Sequence, residues 1–308
     1  MTSVAIDTVR IGTRRSALAL YQTHHIRALL EEAYPDLEVE VVEMDTKGDK
    51  IRDIPLPQIG GKGLFTQELE EMLLSGELDL AVHSLKDLPS ALPDGLIWAG
   101  SPKRGNPTDC LVSHKWQNLE ELPQGALVAT GSVRRRAQLQ SIRPDLTFSD
   151  LRGNIDTRLK KLVDFDFDAI IMATTALERL EMQDRITQQL DPALFTPAVG
   201  QGAIGVEIAS ERHDLKSLLE PILDPATTTA ARAERAFMRL LEGGCSAPVA
   251  AHCAPHEGRW HFTGWVGSLD GSRVLKASEV CEDPVLAATR MAERFITQGA
   301  RELMREEG

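Results

Sequence analysis

LVATGSVRRRAQLQSI, residues 127–142, runs from a short apolar strand through the turn Thr130-Gly131-Ser132 into a helix closed by Pro144. IGTRRSALAL, residues 11–20, has the same grammar: strand, a polar turn with arginines, then helix. A unit that occurs twice predicts two similar α/β domains facing each other, with the loops at their strand ends lining a shared cleft, where open α/β sheets take ligands.

The surrounding segments extend this alternation. In the first half, 4–12, 37–44 and 78–83 read as strands, and 17–32 and 64–74 carry apolar residues at helical spacing. In the second, 126–129 and 168–172 are strands and 133–142 is a helix. Strands alternating with helices predict a mainly parallel sheet in each half. After Asp224-Pro225 the texture changes. A helix over 226–242 ends at Gly243-Gly244, a C-cap signal, and strands at 247–253, 259–268 and 274–280 precede a final helix. That is a third, α+β domain.

Composition narrows the function. The chain has 308 residues and a formal net charge of -12, which argues against the extended basic face that nucleic acid or an anionic membrane requires. No apolar run is long enough to span a bilayer, and MTSVAIDTVRIG has neither a basic leader nor a hydrophobic signal core. Four cysteines in a chain of this length do not make a disulfide framework. A reduced, cytoplasmic protein is expected.

Within this acidic chain, residues 130–158 hold six arginines and no lysine: Arg134, Arg135, Arg136, Arg143, Arg152 and Arg158. Arginine grips planar carboxylates and phosphates by paired hydrogen bonds. Arg134 and Arg135 fall in the first turn of their helix after the Ser132 cap, where positive charge opposes the macrodipole, and Arg14 and Arg15 do the same at the other repeat. A bound anion reverses the sign of that effect; solvated arginines paired with neighbouring acids are the alternative. Gly60-Gly61-Lys62-Gly63 lacks the spacing of a nucleotide phosphate loop and reads as a cationic lid or an ordinary surface loop. Asp87 ends a strand beside Lys86, either as a turn residue or as a carboxylate that stabilises cations and shuttles protons. Cys245 follows two glycines, either as an accessible nucleophile or anchor or as an inert thiol. His252, Cys253 and His256 lie near it without a standard zinc spacing, so no metal is expected.

Read together, these segments resemble the porphobilinogen deaminase (hydroxymethylbilane synthase) family nearly end to end. The resemblance rests on TRRSALA at 13–19, GGKGLF at 60–65, AVHSLKDLP at 81–89, TGSVRR at 130–135, LRGN at 151–154, TRL at 157–159, PAVGQG at 197–202 and LEGGC at 241–245. It implies two periplasmic-binding-protein-like α/β domains around a cleft, residues 1–102 with 200–220 and residues 106–198, plus a smaller α+β domain at 224–308 carrying the cofactor cysteine. It implies a transferase that joins four porphobilinogen molecules head to tail, expelling ammonia each time, in tetrapyrrole (porphyrin and haem) biosynthesis. It further implies a dipyrromethane cofactor held by a thioether to Cys245, with Lys86, Thr130, Ser132, Arg134, Arg135, Arg152 and Arg158 as its contacts. Arg14, Ser16, Gln22, Lys62, Phe65, Arg179 and Gln201 are implied to bind substrate, and Asp87 to be catalytic, stabilising the positive charge left when ammonia departs. A monomer with a small-molecule substrate and no nucleic-acid or membrane partner is expected.

Arg136 and Arg143 match no required position and read as surface residues. Gly131, Ala176, Ser246 and Lys47 depart from the commonest residues of the family, which have serine, glycine, glutamine and arginine there. Two other classes share part of the pattern. A two-domain solute-binding protein would need neither Cys245 nor Asp87, and a nucleic-acid-binding protein would show a basic face.

Overall fold

The structure, a computed structural model, describes residues 6–46, 66–243 and 247–305. In chain order the first elements are β1 (Thr8–Arg14), α1 (Ala17–Ala33), β2 (Glu38–Met44), α2 (Gln67–Ser75), β3 (Leu80–Ser84), a 3-10 turn at Leu85–Asp87, and β4 (Leu96–Gly100). Then follow β5 (Asp109–Val112), β6 (Leu127–Ala129), α3 (Val133–Ile142), β7 (Thr147–Ser149), α4 (Ile155–Asp164), β8 (Ala169–Ala173), α5 (Thr174–Arg179) and β9 (Gln188–Gln189). The chain ends with β10 (Ile204–Ala209), α6 (His213–Leu219), α7 (Pro225–Leu240), β11 (Val249–His256), β12 (Arg259–Gly267), β13 (Val274–Cys281), α8 (Pro284–Thr297) and α9 (Ala300–Leu303).

The described residues divide between two compact units, one drawing on 1–53, 61–104 and 203–228, the other on 105–202 and 229–308. The first unit holds a five-stranded sheet of order β2-β1-β3-β10-β4. The second holds a sheet of order β7-β6-β8-β5-β9 and the three-stranded antiparallel sheet β11-β12-β13. The two five-stranded sheets repeat one plan. In each, three strands of the βα succession pair in parallel, and the fourth in order (β10 or β5) runs antiparallel to its neighbours. Four of the five strands in each sheet thus run the same way, as the sequence predicts, and only β10 or β5 is reversed. Strands β10 and β5 enter from outside the local βα succession, so no helical crossover dictates their direction.

Period-2 alternation builds the first unit's two faces. Leu80 and Val82 of β3 and Ile204, Val206 and Ile208 of β10 join Ile26 and Leu30 of α1 in one core. Ala81 of β3 and Ala209 of β10 turn to the other face, against Leu69 and Leu73 of α2. His83 and Glu207, two residues from these alanines, stand on that same face.

In the second unit Phe237 of α7 stacks edge-on against Phe262 of β12 and Phe295 of α8, at centroid distances of 5.7 and 5.8 Å. Helix α7 ends earlier than the Gly243-Gly244 signal suggests. Glu242, at φ 57°, takes the left-handed position, and Gly243 donates its N–H to Met238 O at 3.1 Å. Gly243 serves close packing instead, because a Cβ there would lie 3.1 Å from Val249 Cγ2. Gly244 lies outside the described residues.

Candidate active site

In the first unit a cavity of about 70 Å³ opens where β1 and β3 end. Its lining includes Arg14 and Ser16 from the β1–α1 turn, Gln22 from α1, Thr66 at the start of α2, and His83, Ser84 and Asp87 from the end of β3. Four residues singled out in the sequence are thus brought together: Arg14, Ser16, Gln22 and Asp87. Ser16 caps α1, its Oγ accepting the Ala19 N–H at 3.3 Å. Gln22 is buried, and its Nε2 donates to Ser84 Oγ at 2.8 Å, tying α1 to the strand end that presents Asp87. The turn itself is anchored by Leu85, whose N–H reaches Ala203 O at 3.0 Å. Asp87 is exposed, and no hydrogen bond of its carboxylate occurs among the described residues. A carboxylate exposed in this way is available to a ligand. Lys86 is half-buried in the same turn.

In the second unit Ser132 caps α3 by accepting the Arg135 N–H at 3.4 Å, and Thr130 Oγ1 accepts the Ser132 N–H at 3.2 Å. The cap directs Arg134 and Arg135 inward, where both side chains are buried. Arg135 donates through Nε to Asp109 Oδ1 at 2.8 Å and through Nη1 to Ile171 O at 3.0 Å. Arg134 sets Nη2 2.8 Å from Asp109 Oδ2, donates through Nη1 to Thr196 O at 2.9 Å, and leaves Nε buried without a hydrogen-bond partner among the described residues. Burial pushes the Arg134 pKa down, with Asp109 opposing and Arg135 adding to the fall. Two guanidinium groups share one carboxylate, so the cluster keeps one positive charge. Gln201 joins it, donating to Pro107 O at 2.7 Å and Asp109 Oδ1 at 3.1 Å.

Nearby in sequence, Arg158 donates to Gly153 O at 2.8 Å, and Arg152 has Nη1 buried without a hydrogen-bond partner among the described residues. Arg179 donates to Gly202 O at 2.8 Å. Lys62, Phe65 and Cys245 lie outside the described residues. Arg136 is exposed, its guanidinium 5.6 Å from the Phe148 ring centroid. Arg143 is a correction, because it is a half-buried staple. It donates to Leu119 O and Leu122 O at 2.7 and 3.0 Å and pairs with Asp145. Of the other cysteines, Cys110 is buried and its thiol is pushed up to about 12 by burial, and burial also raises half-buried Cys281. Cys253 is buried in the core of α7, α8 and the three-stranded sheet. No cluster of metal-ligating side chains occurs among the described residues.

A family model described as porphobilinogen deaminase, dipyromethane cofactor binding domain, matches residues 9–217, and its C-terminal domain matches 228–297. The chain belongs to the porphobilinogen deaminase family. The relative from Desulfitobacterium hafniense named porphobilinogen deaminase is 46% identical over 98% of this chain and 98% of its own length. That from Synechococcus elongatus is 45% identical over 99% and 97%, and that from Syntrophobacter fumaroxidans 47% over 88% and 87%. Among solved structures, the methionine binding protein MetQ covers 72% of this chain and 92% of its own at 16% identity, with a TM-score of 0.43. The chain is therefore a transferase of tetrapyrrole biosynthesis with a dipyrromethane cofactor.

Sequence reasoning missed Asp109 and the buried group Glu70, His83 and Glu207. Asp109 opens an apolar strand without any motif to mark it. His83 sits inside AVHSLKDLP, but its partners arrive from α2 and β10, 13 residues before it and 124 after.

Proposed function

We propose that the Asp87 cavity is where this chain joins four porphobilinogen molecules head to tail into hydroxymethylbilane, one ammonia leaving at each addition. The observation that carries the assignment is the exposed Asp87 carboxylate in one cavity with Arg14, Ser16 and Gln22. Asp87 stabilises the positive charge that develops when the aminomethyl group departs, and helps to move protons. Arg14 binds a substrate carboxylate, Ser16 and Gln22 order the wall around it, and Lys86 supports the same turn.

The second unit's residues fit a dipyrromethane group, which carries acetate and propionate carboxylates. Among the described residues, the Arg134–Arg135–Asp109 cluster carries more guanidinium than carboxylate charge, and Arg134 Nε and Arg152 Nη1 are donors without an acceptor. On this reading Cys245 holds the cofactor by a thioether, and Thr130, Ser132, Arg134, Arg135, Arg152 and Arg158 hold its carboxylates. Arg134 and Arg135 contribute through the charge they retain beyond Asp109. Arg179, Gln201, Lys62 and Phe65 complete the substrate contacts. When bound, the cofactor supplies the pyrrole carbon from which the chain is extended. The unreactive settings of Cys110, Cys253 and Cys281 favour Cys245 as the anchor.

We also infer three domains, 1–102 with 200–220, 106–198 and 224–308. The return of β10 to the first sheet supports the split first domain. The acidic charge balance and sparse cysteines support a cytoplasmic monomer acting on a small molecule, without nucleic-acid or membrane partners. No described helix is long and apolar enough to cross a membrane.

Intact-mass measurement tests the assignment. The purified protein should exceed the bare sequence mass by one dipyrromethane unit, and Cys245→Ser should return it to the bare mass and abolish turnover. A bare mass after incubation with porphobilinogen would overturn the Cys245 reading.

A further inference from the structure

The cavity that presents Asp87 has an ionisable wall that the reading above leaves unused. His83 lines it, with its side chain only 4% exposed, and its Nε2 lies 3.0 Å from Oε2 of Glu207, whose side chain is wholly buried. The two belong to neighbouring antiparallel strands: Glu207 of β10 pairs with Ala81, and Gly205 lies opposite His83. Both side chains therefore stand on one face. Helix α2 covers that face and adds Glu70, itself buried. Burial raises the Glu70 carboxyl pKa, Glu207 adds to the rise, and Thr66 and His83 oppose it. Among the described residues, Oε1 of Glu70 and Oε1 of Glu207 are buried without a hydrogen-bond partner. A hydrophobic core does not gather two carboxylates and an imidazole beneath a reactive cavity without cost. Such clusters of ionisable groups concentrate at functional sites.

The chemistry requires a proton acceptor at this place. At each addition the carbon–nitrogen bond of a protonated aminomethyl group breaks, and ammonia leaves with the electron pair. A carbon–carbon bond then forms, and the attacked pyrrole carbon gives up its proton. Ammonia and one proton are released per ring, and the proton must be taken up before the next ring enters.

We propose that His83, held by Glu207 and backed by Glu70, is the proton-holding residue of the Asp87 cavity, accepting the proton released at each ring addition. Glu207 stabilises the resulting imidazolium and orients the ring through Nε2, as a carboxylate does for any catalytic imidazole. Four charged or titratable groups face His83 or share its cavity: Glu207 from β10, Glu70 from α2, Asp87 from the 3-10 turn and Arg14 from the end of β1. The proposal rests on the reading of this cavity as the reaction site.

The test is the pH profile of kcat for the cofactor-loaded enzyme. The wild type should show an ascending limb in the range about 5–8 where histidine titrates. His83→Gln, which can still donate to Glu207, should lose that limb and fall about 10-fold to 100-fold near neutrality. Glu207→Gln removes the carboxylate hydrogen-bonded to His83 and should move the limb to lower pH. A His83→Gln enzyme that keeps the wild-type limb overturns the proposal. So does one that loses activity equally at every pH while its melting temperature falls, since that is a structural role. Ring-proton NMR of loaded wild type reads the same group without a variant: a His83 resonance that does not titrate over that range also overturns it. Asp87→Asn separates the two readings, because full turnover in that variant removes the reaction-site assignment whatever His83 does.

Discussion

Arg135 grips Asp109 with two hydrogen-bonding nitrogens, Nε at 2.8 Å and Nη2 at 2.7 Å from the same carboxylate oxygen, in a pocket where Asp109 is wholly buried. This relationship sets what the arginine-rich stretch can do. A buried carboxylate between two guanidinium groups holds α3 against β5, and the charge left over is what a ligand carboxylate would meet. Removing Asp109 leaves both guanidinium groups buried without this counter-charge. Asp109→Ala should lose about 3–5 kcal/mol of stability, read from urea midpoints, and Asp109→Asn less. Unchanged midpoints would show that the pair contributes nothing to the fold.

Asp87 is exposed and makes no internal hydrogen bond among the described residues, so its replacement should separate chemistry from stability. Asp87→Asn should reduce kcat about 10²-fold to 10⁴-fold while stability shifts by less than about 0.5 kcal/mol. Ammonia release and a thermal melt measure the two. Near-normal turnover would remove Asp87 from the reaction.

Gly131 is enforced by a close approach. A Cβ there would lie 2.7 Å from Leu151 O, a backbone atom that cannot rotate away. Gly131→Ser should therefore displace the Leu151–Arg152 segment, cost about 1–3 kcal/mol, and weaken cofactor loading through Arg152. Intact mass after limiting incubation with porphobilinogen, beside a melt, checks both effects.

Thiol chemistry should be selective. With the Cys110 thiol pushed up to about 12 and buried, alkylation of unloaded protein near neutral pH should leave Cys110 unmodified and label Cys245 first. Peptide mapping reads this directly. Early labelling of Cys110 would show that its pocket opens.

Arg143 and Asp145 bind each other at 2.7 Å, and Arg143 holds the Asp145 carboxyl down at about 2 against an ordinary 3.8. The stability this contributes is present above the ordinary value and is lost as pH falls from near 3.8 through about 2. Arg143→Ala also frees the Leu119 and Leu122 carbonyls and should cost about 2 kcal/mol at neutral pH. The difference from wild type should narrow in denaturant titrations near pH 2, and a constant difference would assign the whole effect to the carbonyl bonds.

The repeated turns at 13–16 and 130–132 made the α/β plan legible, because strand and helix periods and a serine cap are local properties. Helix α3 spans the predicted residues, since the Ser132 cap and Pro144 both act within a few residues of it. The direction of β5 and β10 was not legible, since strand pairing joins residues far apart in the chain, Asp109 with Ala173 and Glu207 with Ala81. Asp87 and Arg14 could be selected from motifs, but the occupation of Arg134 and Arg135 by Asp109 could not, because nothing in sequence spacing measures who reaches a buried guanidinium first. For Arg143 the reading as a surface residue failed for the same reason: its partners are backbone carbonyls, which every residue has.

The amino-acid sequence by itself determined the family and its chemistry, because these depend on short motifs read in order, and it singled out the acid and thiol proposed to carry that chemistry. Only the tertiary structure decided which charges are neutralised and which remain available. Burial and distance set that balance, as shown where Asp109 takes up two arginines and where β10 delivers Glu207 to His83 beneath the Asp87 cavity.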